Sequence, residues 1–366
     1  MQIIILIILL LYVLLILQYT FGWYKIKKTD YDRFTPKVSV VISLRNEAEQ
    51  VETLLRNLRT QLYPTEKIEF ILVNDHSTDN TFELLQENTI DNLVIINLQE
   101  VWGKKQAISK AISVARGDII LTTDADCSFG PNWAQIIVSY FADEKIELVS
   151  GPVTYLQQDS VFHNLQVLEF TSLIASGAGA IASGNPIFCN GANMAFRKKV
   201  FLDLNDFANN TTASGDDVFL LHSVKRKYPH ATTFAKDEEA VVRTSGTQSI
   251  KEFISQRKRW TAKSSAYKDI ATIYVSFIVL LTNLTLLYLF AVSFINISTL
   301  QIFGLFYLTK FVVDVLLLYP VLKFFNRNDL VKWVFPFELL YSFYIVLIVI
   351  LSFTKSFSWK GRIHKK

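Results

Sequence analysis

Asp124 and Asp126 close an apolar, β-branched run, Ile119-Ile120-Leu121-Thr122-Thr123, with one residue between them. Side chains two apart in extended chain point the same way, so both carboxylates can face one ligand. Carboxylate oxygens so placed suit Mg²⁺ or Mn²⁺, which take one or two protein carboxylates and complete their shells with phosphate oxygens and water. A solvated turn is the other use of the same residues. Asp75 ends a second such run beside Ser77 and Asp79. It can accept from a ribose hydroxyl or a base ring N–H, while Ser77, Thr78 or Asp79 caps the helix that follows. Lys104, after Trp102-Gly103, can neutralise phosphate or touch a base. The G-x-x-x-x-G-K-[ST] string of a Walker A loop is not in the sequence.

Ser214-Gly215-Asp216-Asp217 precedes the helical run Val218-Phe219-Leu220-Leu221. Two carboxylates there serve either a ligand or the helix start, as a cap favourably placed on the dipole. Gln256-Arg257-Lys258-Arg259-Trp260 stands directly before a long apolar stretch. It reads as a binding string or as a juxtamembrane basic belt with an interfacial Trp. The histidines and the two cysteines, Cys127 and Cys189, lack metal-ligand spacing. The cysteines are read as small packing residues in a reducing compartment.

These clusters need elements to position them. Strands are expected over 38–44, 70–73, 93–98 and 118–123, alternating with helices over 49–62, 79–86 and 104–115. That alternation implies right-handed crossovers and a mostly parallel α/β sheet. Ligands collect outside the carboxyl ends of such strands, which is where the polar clusters fall.

The chain has 366 residues, 51% of them hydrophobic, and a net charge of +4. This composition excludes a disordered, collagen-like or disulfide-framework protein, and near-balanced charge argues against a nucleic-acid binder. The apolar residues are segregated. Residues 3–21 are long enough to span a hydrocarbon layer roughly 30 Å thick, and without an n-region or a small-x-small cleavage site they read as an uncleaved anchor. Lys25, Lys27, Lys28 and Arg33 place the following side in the cytoplasm.

The expected organisation is an N-terminal transmembrane anchor (1–23), a cytoplasmic α/β domain (34–268), a C-terminal membrane region of about three helices (270–354) and a basic tail (355–366). Four crossings from an outside N-terminus leave that tail outside, whereas its Lys and Arg residues favour the inside. Lys310 and Asp314 fall inside an apolar stretch at i,i+4 spacing. They form either a neutralised pair or a functional intramembrane site. Residues 161–185, apolar and then rich in Gly, Ala and Ser, read as an interfacial helix at an acceptor entrance or as a buried helix of the α/β domain.

In combination, Asp75, Asp124-x-Asp126, Gly215-Asp216-Asp217 and Gln256-x-x-Arg259-Trp260 resemble the membrane-bound family 2 glycosyltransferases with a GT-A fold. That group includes cellulose, hyaluronan and poly-N-acetylglucosamine synthases and ceramide glucosyltransferase. The resemblance covers roughly residues 36–265. The family often has Asp-Asp-Gly-Ser where this chain has Asn74-Asp75-His76-Ser77, and commonly Glu-Asp where it has Asp216-Asp217.

The resemblance implies an inverting transfer from a nucleotide-diphosphate sugar, most simply a UDP-sugar, to a lipid-linked or glycan acceptor. Asp75 and Lys104, with Glu47, would hold the nucleoside. Asp124 would contact ribose or phosphate, and Asp126 would ligate Mg²⁺ or Mn²⁺. Asp217, assisted by Asp216, would be the general base. Gln256, Arg259 and Trp260 would close over diphosphate and acceptor, with Asn190 and Gly191 lining the acceptor pocket. A processive synthase, a silent nucleotide-sugar-binding scaffold and a transporter are the competing readings.

Overall fold

The computed structural model describes the chain except residues 1, 30–33, 89, 205–215, 265, 353–355, 360, 361 and 366. After an apolar helix, α1 (Gln2–Lys25), come β1 (Val38–Leu44), β2 (Ile68–Asn74), β3 (Leu93–Asn97) and β4 (Ile119–Thr122). They lie in the order β3-β2-β1-β4, all parallel. β1, β2 and β4 are almost entirely buried, which is why they read as continuous apolar runs rather than alternating ones. Helices α2 (Val51–Arg59), α3 (Thr81–Glu87) and α4 (Lys104–Val114) provide the crossovers. In α2, Val51, Leu54, Leu55 and Leu58 form the buried face, at helical spacing.

Beyond α5 (Trp133–Ser139) the sheet becomes mixed. β7 (Met194–Arg197) runs antiparallel between β4 and β5 (Leu148–Ser150), and β8 (Thr232–Phe234) adds parallel to β5. β6 (Val153–Tyr155) pairs in parallel with β9 (Val242–Thr244) in a separate small sheet. The register pairs Leu44 with Asn74 and Asn74 with Asn97. Chain segments leaving β1, β2 and β3 therefore emerge at one level, and Thr122 opposite Met194 brings the 190–193 turn to the end of β4.

Among the described residues, five helices are long and apolar enough to cross a membrane: α1, α6 (Val161–Ala182), and three near the C-terminus. The last three are α10 (Ile270–Ser293), α11 (Ile297–Phe324) and α12 (Val331–Ser352), which follow α7 (Lys198–Asp203), α8 (Asp216–Lys227) and α9 (Ile250–Ser264). α1 and α10 to α12 expose large apolar side chains such as Ile3, Leu6, Ile273 and Leu305, as lipid-facing helices do.

α6 differs. Most of its side chains are buried, and it packs against α1, α11, α12 and the sheet. A Cβ on Gly22 would lie 2.4 Å from the Gly179 carbonyl oxygen, and one on Gly179 2.6 Å from that of Tyr19. The Gly-Ala segment thus lets α6 cross α1 backbone to backbone. Of the two readings of residues 161–185, the burial of α6 against α1 and the sheet agrees with the enclosed helix.

Lys310 and Asp314 are not a closed pair either. Lys310 Nζ contacts Asp314 Oδ2 at 2.8 Å and also Glu338 Oε1 of α12. The Tyr12 hydroxyl of α1 donates to Asp314 Oδ1 at 2.7 Å. Lys310 is fully buried, so these groups tie three of the long apolar helices, α1, α11 and α12, together. Lys310→Met leaves two carboxylates without their cation and is expected to cost about 3–5 kcal/mol. A scan in detergent checks this by a lowered unfolding midpoint, and an unchanged midpoint contradicts it.

Candidate active site

A cavity of about 370 Å³ opens at the carboxyl ends of the parallel strands, where an open α/β sheet collects ligands. On its β1–β2 side stand Glu47, Asp75 and Lys104; Asp124 and Asp126 follow β4. Asn190, Gly191 and Asp217 line the opposite side, and Gln256, Arg259 and Trp260 of α9 complete it. All the candidates from the sequence are brought together except Asp216, whose side chain, like Ser214 and Gly215, lies outside the described residues.

Asp75 is almost fully buried. Each of its carboxylate oxygens accepts from the Gly103 N–H at 3.1 Å, which ties the loop before α4 to β2. Next to it His76 has φ +56°, in the left-handed region that glycine occupies at little cost. Its ring offsets that strain: Nδ1 lies 3.1 Å from Asp75 Oδ1, Nε2 3.2 Å from the Gln99 carbonyl oxygen, and the ring stacks on Trp102. Asn74 is spent on structure, donating to Asn97 Oδ1 at 2.7 Å and accepting from the Ser77 N–H.

Lys104 Nζ pairs with Asp124 Oδ1, each side chain about a third exposed. Asp126 Oδ2 accepts from the Thr244 hydroxyl at 3.1 Å. Asp217 is held by two backbone donors: the Gly191 N–H reaches Oδ2 and the Val218 N–H reaches Oδ1, both at 2.9 Å. The Gly191 carbonyl in turn accepts from Thr122 Oγ1 at 2.9 Å, so β4 and the Asp217 carboxylate share one hydrogen-bonded turn. Burial lowers the pKa of the Arg259 guanidinium; Asp124 opposes that and neighbouring Arg257 adds to it. Burial holds the Tyr267 phenol well above its ordinary value, and Asp217 pushes it further.

The donor set tests the fit of a cation. Among the described residues no cluster of three or more His, Cys, Asp or Glu could hold a metal by itself. The cavity instead offers hard carboxylate oxygens from Asp124 and Asp126. Hard oxygens of this kind fit Mg²⁺ or Mn²⁺ arriving with a diphosphate that fills the remaining positions, with Asp126 as the residue that would hold the ion and Asp124 beside it.

Thr244, Tyr155 and Tyr267 also line the cavity and escaped the sequence reading. Thr244 stands 118 residues from its partner Asp126, and no local pattern announces it. Arg257 stands inside the Gln256–Trp260 string, where the family resemblance assigns roles only to its neighbours.

Residues 39–204 match the family model described as glycosyl transferase family 2. The glycosyltransferase AglE of Haloferax volcanii is 29% identical over 214 residues, 55% of this chain and 65% of that protein. Poly-β-1,6-N-acetyl-D-glucosamine synthase of Staphylococcus aureus is 29% identical over 175 residues, 46% of this chain and 41% of that one. The chain therefore spans less than two thirds of the length of these curated relatives. The mannosyltransferase PcManGT from Pyrobaculum calidifontis, solved in complex with GDP-Man and Mn²⁺, superposes with a TM-score of 0.60 at 18% identity. That match covers 93% of this chain and 99% of the mannosyltransferase. The sheet described above is that of the GT-A fold.

Proposed function

With a glycosyl transferase family 2 domain over residues 39–204 as premise, we propose that the protein is a membrane-anchored inverting glycosyltransferase. It moves a sugar from a nucleotide-diphosphate sugar, a UDP-sugar, to a hydroxyl of a lipid-linked or glycan acceptor. One observation carries the reading: Asp126, Arg259 and Asp217 line a single cavity, so leaving group and attacking hydroxyl can be served on opposite faces of one sugar. Lys25 at the end of α1 and Lys27 and Lys28 just beyond it support a cytoplasmic position for the domain by the positive-inside rule.

Asp75, Lys104 and Glu47 bind the nucleoside, and Asp124 contacts ribose or phosphate. A divalent cation held by Asp126 supplies Lewis-acid stabilisation when bound. Arg259, in a desolvated wall of the cavity, places fixed positive charge where negative charge develops on the diphosphate. Asp217 takes the acceptor proton as the hydroxyl oxygen bonds to the anomeric carbon and the bond to the diphosphate breaks. Its two backbone N–H partners fix the carboxylate's orientation. Asn190 and Gly191, with Gln256 and Trp260, hold the acceptor. One base on one face gives a single displacement with inversion, because retention needs a second carboxylate as nucleophile.

Purified chain in detergent with Mn²⁺ is expected to release UDP from one member of a UDP-sugar panel only when acceptor is present, and to stop with EDTA. Release of GDP from GDP-sugars alone, the donor type in the mannosyltransferase complex, would change the donor class. Nucleotide binding without turnover of any donor would replace the enzyme by a silent scaffold.

A further inference from the structure

Arg257, the second residue of Gln256-Arg257-Lys258-Arg259-Trp260, is buried and stands behind the residues that line the cavity rather than among them. Its guanidinium grips Glu169 of α6 side-on, Nε to Oε1 at 2.8 Å and Nη2 to Oε2 at 2.5 Å. Nη2 also reaches the Tyr155 hydroxyl at 3.3 Å. The Tyr344 hydroxyl of α12 donates to the same Glu169 Oε1 at 3.0 Å. Besides Tyr155, Arg257 touches two more residues that line the cavity: Nη1 donates to Gln256 Oε1, and the guanidinium carbon lies 4.2 Å from the centre of the Trp260 ring.

From this arrangement we infer that Arg257 and Glu169 form a positioning pair for sugar transfer, setting the poses of Gln256 and Trp260 and fixing them to a membrane helix. The inference rests on the glycosyltransferase reading. A buried ion pair is weak evidence for stability, since well-packed apolar residues often serve as well; what it does supply is geometry. The guanidinium is donor-only, so Gln256 must turn its carbonyl oxygen towards Arg257, and the end it can offer a ligand is the NH₂. The planar fork also matches a carboxylate and lies against an aromatic face, neither of which a lysine ammonium reproduces. Glu169, set by α6 and by Tyr344, keeps the fork in place.

The test uses the full-length chain in detergent with Mn²⁺ and the donor and acceptor found in the panel. R257K, E169Q and Y344F are compared with wild type for nucleoside diphosphate affinity, for kcat and KM of the acceptor, and for unfolding midpoint. R257K and E169Q are expected to lower kcat/KM for the acceptor on the order of 10²-fold, the effect of a misplacement near 1 Å, with Y344F milder and nucleotide affinity unchanged. The E169Q/R257K double variant should be no worse than the worse single one, because coupled residues do not add. A lowered midpoint with acceptor kcat/KM per folded molecule unchanged would make the pair merely structural and overturns the inference. If R257K does not fold, E169Q and Y344F, which keep side-chain volume, give the same readout. Wild type active with all variants equal to it removes only the positioning pair; wild type that turns over no donor removes the glycosyltransferase reading with it.

Discussion

Asp217→Asn will lower acceptor-dependent nucleotide release by about 10²–10⁴-fold, the usual worth of a positioned general base, while nucleotide binding stays at the wild-type value. The change keeps side-chain shape but removes the basic oxygen pair. It also disturbs the support, since the Asp217 carboxylate accepts one backbone N–H on each oxygen, from Gly191 and Val218, and an amide can accept on only one end. Both effects act on the acceptor side of the cavity and leave the Asp75, Lys104 and Asp126 side intact. The check pairs a release assay with equilibrium binding of UDP and Mn²⁺. Release equal to wild type would remove Asp217 as the base, and lost binding with proportionally lost release would move it to the donor.

Arg259→Ala comes second in size, at about 10²–10³-fold in kcat, comparable to deleting one fixed donor aimed at developing charge. The guanidinium lies in a mostly buried wall where its charge is poorly hydrated, the reason its pKa falls. A charge held there acts through a lower effective dielectric than one in water and needs no reorganisation when the leaving group departs. Arg259→Lys should recover part of the loss, because an ammonium restores charge without the planar fork. Steady-state kcat for the three proteins decides it. Alanine at wild-type rate would show that Arg259 serves the fold or the membrane surface.

What could be read in the sequence was what local pattern encodes. β1 spans Val38–Leu44 because a continuous β-branched run between polar clusters leaves little choice, and the other parallel strands fall within two residues of expectation for the same reason. Asp75, Asp124 and Asp126 were legible because a parallel sheet brings its strand ends to one side, whereas Asp217, Gln256, Arg259 and Trp260, which lie on helices, rested on the family resemblance. What stayed hidden depends on partners far along the chain. β7 enters the sheet antiparallel, 72 residues after its neighbour in the hydrogen bond from Thr122 Oγ1 to the Met194 carbonyl, and no periodicity marks it.

Glu169 and Arg257 are 88 residues apart, and each alone reads as a surface charge. The Gly-Ala segment of α6 suited an interface or a buried crossing equally, and only the position of Gly22 decides. His76 looked like a departure from a glycine site; the stack on Trp102 and the bond to Asp75 account for its tolerance of positive φ.

A structure of the full chain determined with Mn²⁺ and an uncleaved nucleotide-sugar tests the account most directly. It should place the metal on Asp126 and the diphosphate against Arg259, with the anomeric carbon open on its far face towards Asp217. Donor bound with that carbon turned away from Asp217, or seated outside the cavity between Asp75 and Trp260, would contradict it.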